Sequence, residues 1–268
     1  MSRKFKSIEF FGISGSGKTY IASIVKKKLK KKGFTVLNAR ECITKGAKYY
    51  IKTSLIERIS LNYFKLVNLG NLRKKNITSF KKKSNYFKNK NVNTNYFKNI
   101  YIEICKKIFS KNRKIDIIIK QIEKIFSNPS RKETQYLFWF YELVASHLIF
   151  KKIFNSSRYI LLLDEGLIQR SFIINNKLSK KQRDKFLNLY FSKFPISKLI
   201  FFISNDKNSV IYINKLRKRY QIQKYKELKE IKNNFKFLNN YLLSKKKFKF
   251  KKIENNKNIE KIIDNFFN

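Results

Sequence analysis

Residues 5–19 read Phe5-Lys6-Ser7-Ile8-Glu9-Phe10-Phe11-Gly12-Ile13-Ser14-Gly15-Ser16-Gly17-Lys18-Thr19. The last eight fill every fixed position of the phosphate-binding loop pattern G-x-x-x-x-G-K-[ST]. The segment before them is rich in β-forming residues and reads as a strand. Tyr20 to Lys32 after them reads as a helix, with Ile21, Ile24, Val25 and Leu29 on one face. A strand, a glycine-rich turn and a helix in this order gather backbone N–H groups and the positive end of a helix dipole around one point, which suits an anion. The pattern predicts that Gly12, Ile13, Ser14, Gly15, Ser16 and Gly17 cradle phosphates, that Lys18 reaches the β- and γ-phosphates, and that the Thr19 hydroxyl completes a Mg²⁺ shell. A chance Gly/Ser turn is not expected to fill all four fixed positions.

The 268 residues suffice for one large domain or a core with a sub-domain, and a hydrophobic content of 43% predicts that most of the chain folds. Only 7 Gly and 2 Pro are present, so loop punctuation is scarce and element boundaries are weakly marked. The formal net charge is +46, from 63 Lys+Arg against 17 Asp+Glu. Such an excess points to a polyanion, either nucleic acid or an anionic membrane surface. A second reading is codon bias. The lysines come with abundant Asn, Ile, Phe and Tyr, whose codons are rich in A and T, and they spread along the whole chain. On that reading, nucleic-acid binding is weak and non-specific.

Cys42 and Cys105 form no C-x-x-C pair and His147 is the single histidine, so neither a zinc site nor a disulfide framework is expected. His147 stands among Val144, Leu148 and Ile149 and reads as a half-buried helix residue rather than a catalyst. No signal-peptide pattern opens the sequence, and the longest apolar stretch, Tyr136 to Phe150, is broken by Glu142 and His147 and is too short to span a bilayer. A cytoplasmic protein without membrane insertion is expected.

Further along, Phe34 to Ala39 reads as a second strand with Arg40 and Glu41 at its end. Residues 49–155 read as a helical insertion within a single domain spanning 1–268, and residues 74–99, nearly all Lys, Asn, Ser, Phe and Tyr, as a low-complexity surface segment. Tyr159 to Leu163 is a continuous apolar run, as in a buried strand of a parallel sheet. A helix over 179–194, a strand over Lys198–Ile203, helices over 208–220 and 225–243, a strand over Phe248–Ile253 and a helix over 259–267 complete the alternation. Alternating strands and helices predict an α/β fold: a five-stranded parallel sheet with helices on both faces and the helical insertion between strands two and three.

Ile160-Leu161-Leu162-Leu163-Asp164 ends a strand in an acid, which beside a phosphate loop can hold Mg²⁺ through water, making Thr19 and Asp164 the expected metal pair. Glu165 stands next to it as an alternative. The first strand, the Gly12–Thr19 loop, the helix, the second strand with its end acid, and Leu163-Asp164-Glu165-Gly166 followed by Arg170 together resemble the P-loop nucleoside and nucleotide kinase group, especially thymidylate kinase-like proteins. The opening through Glu41 is equally similar to adenylyl-sulfate kinase. The resemblance implies a P-loop NTPase fold and an ATP- and Mg²⁺-dependent phosphotransferase acting on a small acceptor such as a nucleoside or nucleoside monophosphate. It implies Glu41 as acceptor base and the basic run with Arg217 and Arg219 as a group closing over the phosphates. Arg40, Glu165 and Arg170 are then acceptor-binding candidates. Trp139, with Phe138, Phe140 and Tyr141, reads as core packing ahead of base stacking. Two other classes stay open: a P-loop hydrolase or switch, and a basic nucleic-acid-binding protein.

Overall fold

The computed structural model describes residues 6–12, 16–68, 94–154, 156, 158–175, 177–197, 199–204, 240–244 and 249–254. Strand β1 (Ser7–Phe11) leads through the glycine loop into helix α1 (Lys18–Lys31), and β2 (Thr35–Leu37) follows. Beyond a helical segment come β3 (Tyr159–Leu163), α7 (Leu167–Asn175), α8 (Lys180–Lys193), β4 (Leu199–Ser204) and β5 (Lys249–Glu254). The sheet order is β2-β3-β1-β4-β5. β1 pairs in parallel with β3 and β4, and β4 in parallel with β5.

The central strands are buried on both faces and, Glu9 apart, almost wholly apolar there, because both faces are covered. Ile8 and Phe10 join Ile21, Val25 and Leu29 of α1 with Ile160, Leu162 and Phe201 in one buried cluster. Successive strand residues point to opposite faces, so Glu9 lies on the other side, where Ile168 of α7 donates its N–H to the Glu9 carboxylate. Tyr190 of α8 donates to Leu167 O at 2.8 Å and holds α8 against α7. Helices thus cover both faces, and the five-stranded parallel α/β architecture expected from the alternation is present.

The chain divides into two compact units: residues 1–36, 156–192 and 196–268 form one, and residues 37–155 with Lys193–Pro195 form the other. The second is helical, with α2 (Ala39–Tyr50), α3 (Leu55–Asn68), α4 (Thr94–Ser110), α5 (Arg113–Ile125) and α6 (Arg131–Ile153). Helix α6 is buried almost all round from Phe138 to Phe150 and forms the centre of this unit. Gly46 of α2 lies so close to it that an added Cβ would meet Ile149 Cγ2 at 2.3 Å.

Some expectations need correction. The second strand stops at Leu37, and Ala39 already belongs to a helix. Asn38 starts that helix with a capping box: its side chain accepts from Glu41 N–H at 2.8 Å, and the Glu41 carboxylate accepts from Asn38 N–H at 2.9 Å. Residues 94–99, assigned above to the low-complexity segment, open α4, and Phe97 among them is buried. Phe97 stacks on Tyr63 with ring centres 4.5 Å apart. Residues 74–93, 208–220 and 259–267 lie outside the described residues, as does all of 225–243 except its helical end at 240–243.

Candidate active site

The connection leaving β1 leads to the β2 edge, whereas that leaving β3 leads to β4 on the far side of β1. The chain therefore reverses direction between the adjacent strands β1 and β3. Open α/β sheets bind ligands in the crevice outside the carboxyl ends at such a reversal. The Gly12–Thr19 loop leaves β1 at that end, and Asp164 and Glu165 leave β3 at the same end.

Gly17 caps α1 in the left-handed conformation, with φ 92°, which suits a residue without a side chain. It offers no side-chain cap, and α1 has no acid of its own in the first turn, so the positive end of its dipole is left to groups from outside the helix. Gly12 is fixed by space: a Cβ there would sit 2.3 Å from Ile203 O of β4. Lys18 is buried and donates from Nζ to Gly12 O at 2.8 Å, with Glu165 Oε1 at 3.6 Å. Burial pulls its ammonium below the ordinary range, and the Glu165 carboxylate opposes that pull. Thr19 Oγ1 donates to Asp164 Oδ2 at 3.3 Å. Of the other loop residues, Ser16 is buried, and Ile13, Ser14 and Gly15 lie outside the described residues.

Glu165 and Arg170, both acceptor candidates in the sequence, pair with each other at 3.1 Å between Arg170 Nη2 and Glu165 Oε2. Glu165 therefore bridges Arg170 and Lys18. Gln169 was not foreseen, yet its Oε1 accepts from Gly12 N–H at 3.1 Å. Glu9 was read only as part of a strand, yet its carboxyl sits fully buried beneath α7 and is pushed up to about 8, first by burial, against the lowering influence of the Ile168 N–H and Arg170. Asp164 and Thr19 fit Mg²⁺, an ion held by one or two carboxylates with the remaining places taken by water and phosphate oxygens. Among the described residues there is no cluster of three or more acidic, His or Cys side chains.

The helical unit holds a cavity of about 1010 Å³. Tyr63, Phe64, Phe138 and Trp139 supply aromatic walls, and Arg40, Lys98 and Arg131 supply positive charge. Arg40 donates from Nε to Glu142 Oε1 at 2.8 Å, and Tyr101 OH donates to the same oxygen at 2.9 Å. Burial works against the Arg40 charge, but Glu142 outweighs it and holds the guanidinium above its ordinary range. Lys98 Nζ donates to Gln135 Oε1 at 3.0 Å and lies 5.0 Å from the Phe138 ring centre. Phe138, Phe140 and Tyr141 are core residues, as the aromatic stripe suggested, but Trp139 is half-buried and lines the cavity. Glu41 is engaged in starting α2. His147 is fully buried rather than half-buried, and burial alone pulls its imidazole down to about 3. Arg217 and Arg219 lie outside the described residues.

No family model matches the chain. No curated protein matches it significantly. Among solved structures, the deoxyadenosine kinase of M. mycoides with bound dCTP superimposes over 97% of this chain and 98% of its own, with a TM-score of 0.41 and 13% identity. Among the described residues no helix is long and apolar enough to cross a membrane.

Proposed function

We propose that this chain is an ATP- and Mg²⁺-dependent kinase that moves a γ-phosphoryl group to a nucleoside or nucleoside monophosphate. The observation that carries the reading is the meeting of Lys18, Thr19 and Asp164 where β1 and β3 end, with Thr19 and Asp164 in direct hydrogen bond. Phosphoryl transfer asks little covalent chemistry of a protein and much positioning and charge stabilisation. The backbone amides at the start of α1 and Lys18 bind and orient the phosphates, and Lys18 leaves Gly12 O and Glu165 to do so. Thr19 and Asp164 would hold Mg²⁺, whose charge offsets that of the phosphate oxygens. The acceptor oxygen bonds to the γ-phosphorus as the bond to the ADP oxygen breaks, and an acceptor hydroxyl gives its proton to a base. Glu41 would have to leave its capping box to serve as that base.

The cavity of the helical unit supports an acceptor with a planar ring and negative charge. Its aromatic walls suit stacking, Gln135 offers an amide to a ring edge, and Arg40 and Arg131 suit a phosphate. A cytoplasmic location goes with this reading, and polyanion binding through the lysine excess is expected to be weak.

The test is ADP release from ATP and Mg²⁺ across a panel of nucleosides, nucleoside monophosphates and sugars. Acceptor-stimulated release by one nucleobase-containing compound is the expected result. Release at the same rate without acceptor would replace the kinase with a hydrolase. Phe138→Ala should then raise the acceptor KM with little effect on ATP affinity.

A further inference from the structure

Glu9 occupies the middle of the central strand and is fully buried. A carboxyl there is unfavourable unless its oxygens find donors. One oxygen does: Glu9 Oε1 accepts from Ile168 N–H at 2.5 Å, in the first turn of α7. The other, Oε2, has no hydrogen-bond partner among the described residues. A leucine would cost less at this point on burial grounds alone. A local rule broken in this way marks sites of function more often than sites of packing.

The surroundings are built around that carboxyl. An added Cβ at Gly166 would lie 2.0 Å from Glu9 Cδ and 2.3 Å from its Cγ. Only a residue without a side chain lets Glu9 reach the α7 amide, so Glu9 and Gly166 fix together where α7 begins. Three residues around this start then face the phosphate loop. Gln169 accepts from Gly12 N–H, Arg170 donates to Glu165, and Glu165 pairs with Lys18. Arg170 is itself buried and interacts electrostatically with Glu9. A chain of contacts therefore runs from Glu9 through α7 to both the first glycine and the lysine of the loop.

We propose that Glu9 is a positioning residue for the phosphate loop, setting the start of α7 so that Gln169, Arg170 and Glu165 hold Gly12 and Lys18 ready for nucleotide. This rests on the reading of Gly12–Thr19 as a nucleotide-binding loop. Glu9 itself touches no substrate; it acts through the α7 backbone. Its role is met by a side chain of the same shape that offers one acceptor oxygen, charged or not.

The test is a binding titration of ATP·Mg²⁺ on the full chain, with the melting temperature of each variant measured alongside. Glu9→Gln keeps an oxygen for Ile168 N–H, and Glu9→Leu fills the space without one. Glu9→Gln should bind ATP within about threefold of wild type, since the amide replaces the acceptor. Glu9→Leu, though folded, should bind roughly 10- to 100-fold more weakly, the loss typical when a group that orients ligating side chains is removed. Wild-type affinity in a folded Glu9→Leu overturns the proposal, and so does an equal loss in both variants. If Glu9→Leu does not fold, Gly166→Ala displaces the carboxyl from the other side; the same loss is expected, and undiminished affinity in a folded Gly166→Ala overturns the proposal. Failure of the wild type to bind ATP would overturn the nucleotide reading and this inference with it, whereas a binding wild type with unaffected variants overturns this inference alone.

Discussion

Thr19 and Asp164 stand 145 residues apart in sequence, and the Thr19 hydroxyl donates to the Asp164 carboxylate at 3.3 Å. The sheet brings them together by placing β3 directly beside β1. Asp164→Ala should leave the fold intact, because the side chain is exposed. It should lower acceptor-stimulated turnover by about 100-fold or more, with a higher Mg²⁺ requirement. Lys18→Ala should abolish turnover in a folded protein. Initial rates over a Mg²⁺ series, with circular dichroism as the check on folding, decide both; wild-type turnover in folded Lys18→Ala would sink the kinase reading.

Glu41 separates two roles cleanly. Glutamine at the third helical position still completes a capping box, so Glu41→Gln should shift stability by less than about 0.5 kcal/mol. If Glu41 is also the acceptor base, kcat falls by roughly 10²–10⁴. If it only starts α2, kcat stays near wild type. Chemical denaturation and steady-state kinetics on the one variant distinguish the outcomes.

The buried Glu9 gives stability a pH dependence of unusual sign. Its ordinary value is 4.5 and the folded value about 8, so between these limits the unfolded chain has lost the proton that the folded chain keeps. Folding then weakens as pH rises, by roughly 1.4 kcal/mol per pH unit at most. His147 acts oppositely: the unfolded imidazole takes a proton below 6.5 while the folded one stays neutral down to about 3, so its contribution is lost as pH falls through that window. Between 6.5 and 8 Glu9 acts without His147. Across pH 6.5, 7.25 and 8, the wild-type urea midpoint should fall steadily relative to that of Glu9→Gln, by roughly 1.4 kcal/mol of stability per pH unit at most, so the two draw apart toward the alkaline end. Parallel lines would show that Glu9 ionises normally.

Gly46→Ala should destabilise the helical unit by about 1–3 kcal/mol, because the new methyl meets Ile149 and has Phe154 Cε2 only 2.9 Å away. Both neighbours are buried and have little room to yield. A melting temperature within a degree of wild type would show that α2 and α6 can separate slightly at no cost.

The loop and β3 were legible because their signals are local. Gly12 to Thr19 is a contiguous pattern, and Tyr159–Leu163 is an unbroken apolar run whose bounds the structure reproduces. Helix α2 was missed because Phe34 to Ala39 has β-forming character, although Asn38 followed by Glu41 three positions on was the readable sign of a helix start. Helix α7 was missed for a similar reason: it is short, and Leu167-Ile168 continue the apolar character of β3. Gln169, Glu9 and the cavity residues depend on pairings across 100 residues or more or on several helices meeting, which no window of sequence contains. Arg40 was singled out by its place after a strand, but its partner Glu142 lies on α6 and carries no motif.

Three glutamates, Glu41, Glu57 and Glu133, each accept from the backbone N–H three residues before them at a helix start. Glu9, Glu57 and Glu142 are buried, and Glu165 bridges two cations. These six glutamates of a chain carrying +46 are thus engaged at helix starts, in the interior or beside the phosphate loop. A net charge of +46 makes the protein repel itself, a strain that ionic screening relieves. Raising ionic strength from about 0.01 to 0.15 M shrinks the reach of each charge from roughly 30 Å to 8 Å. This protein should therefore tighten in salt over the same range in which any loose hold on a polyanion is released.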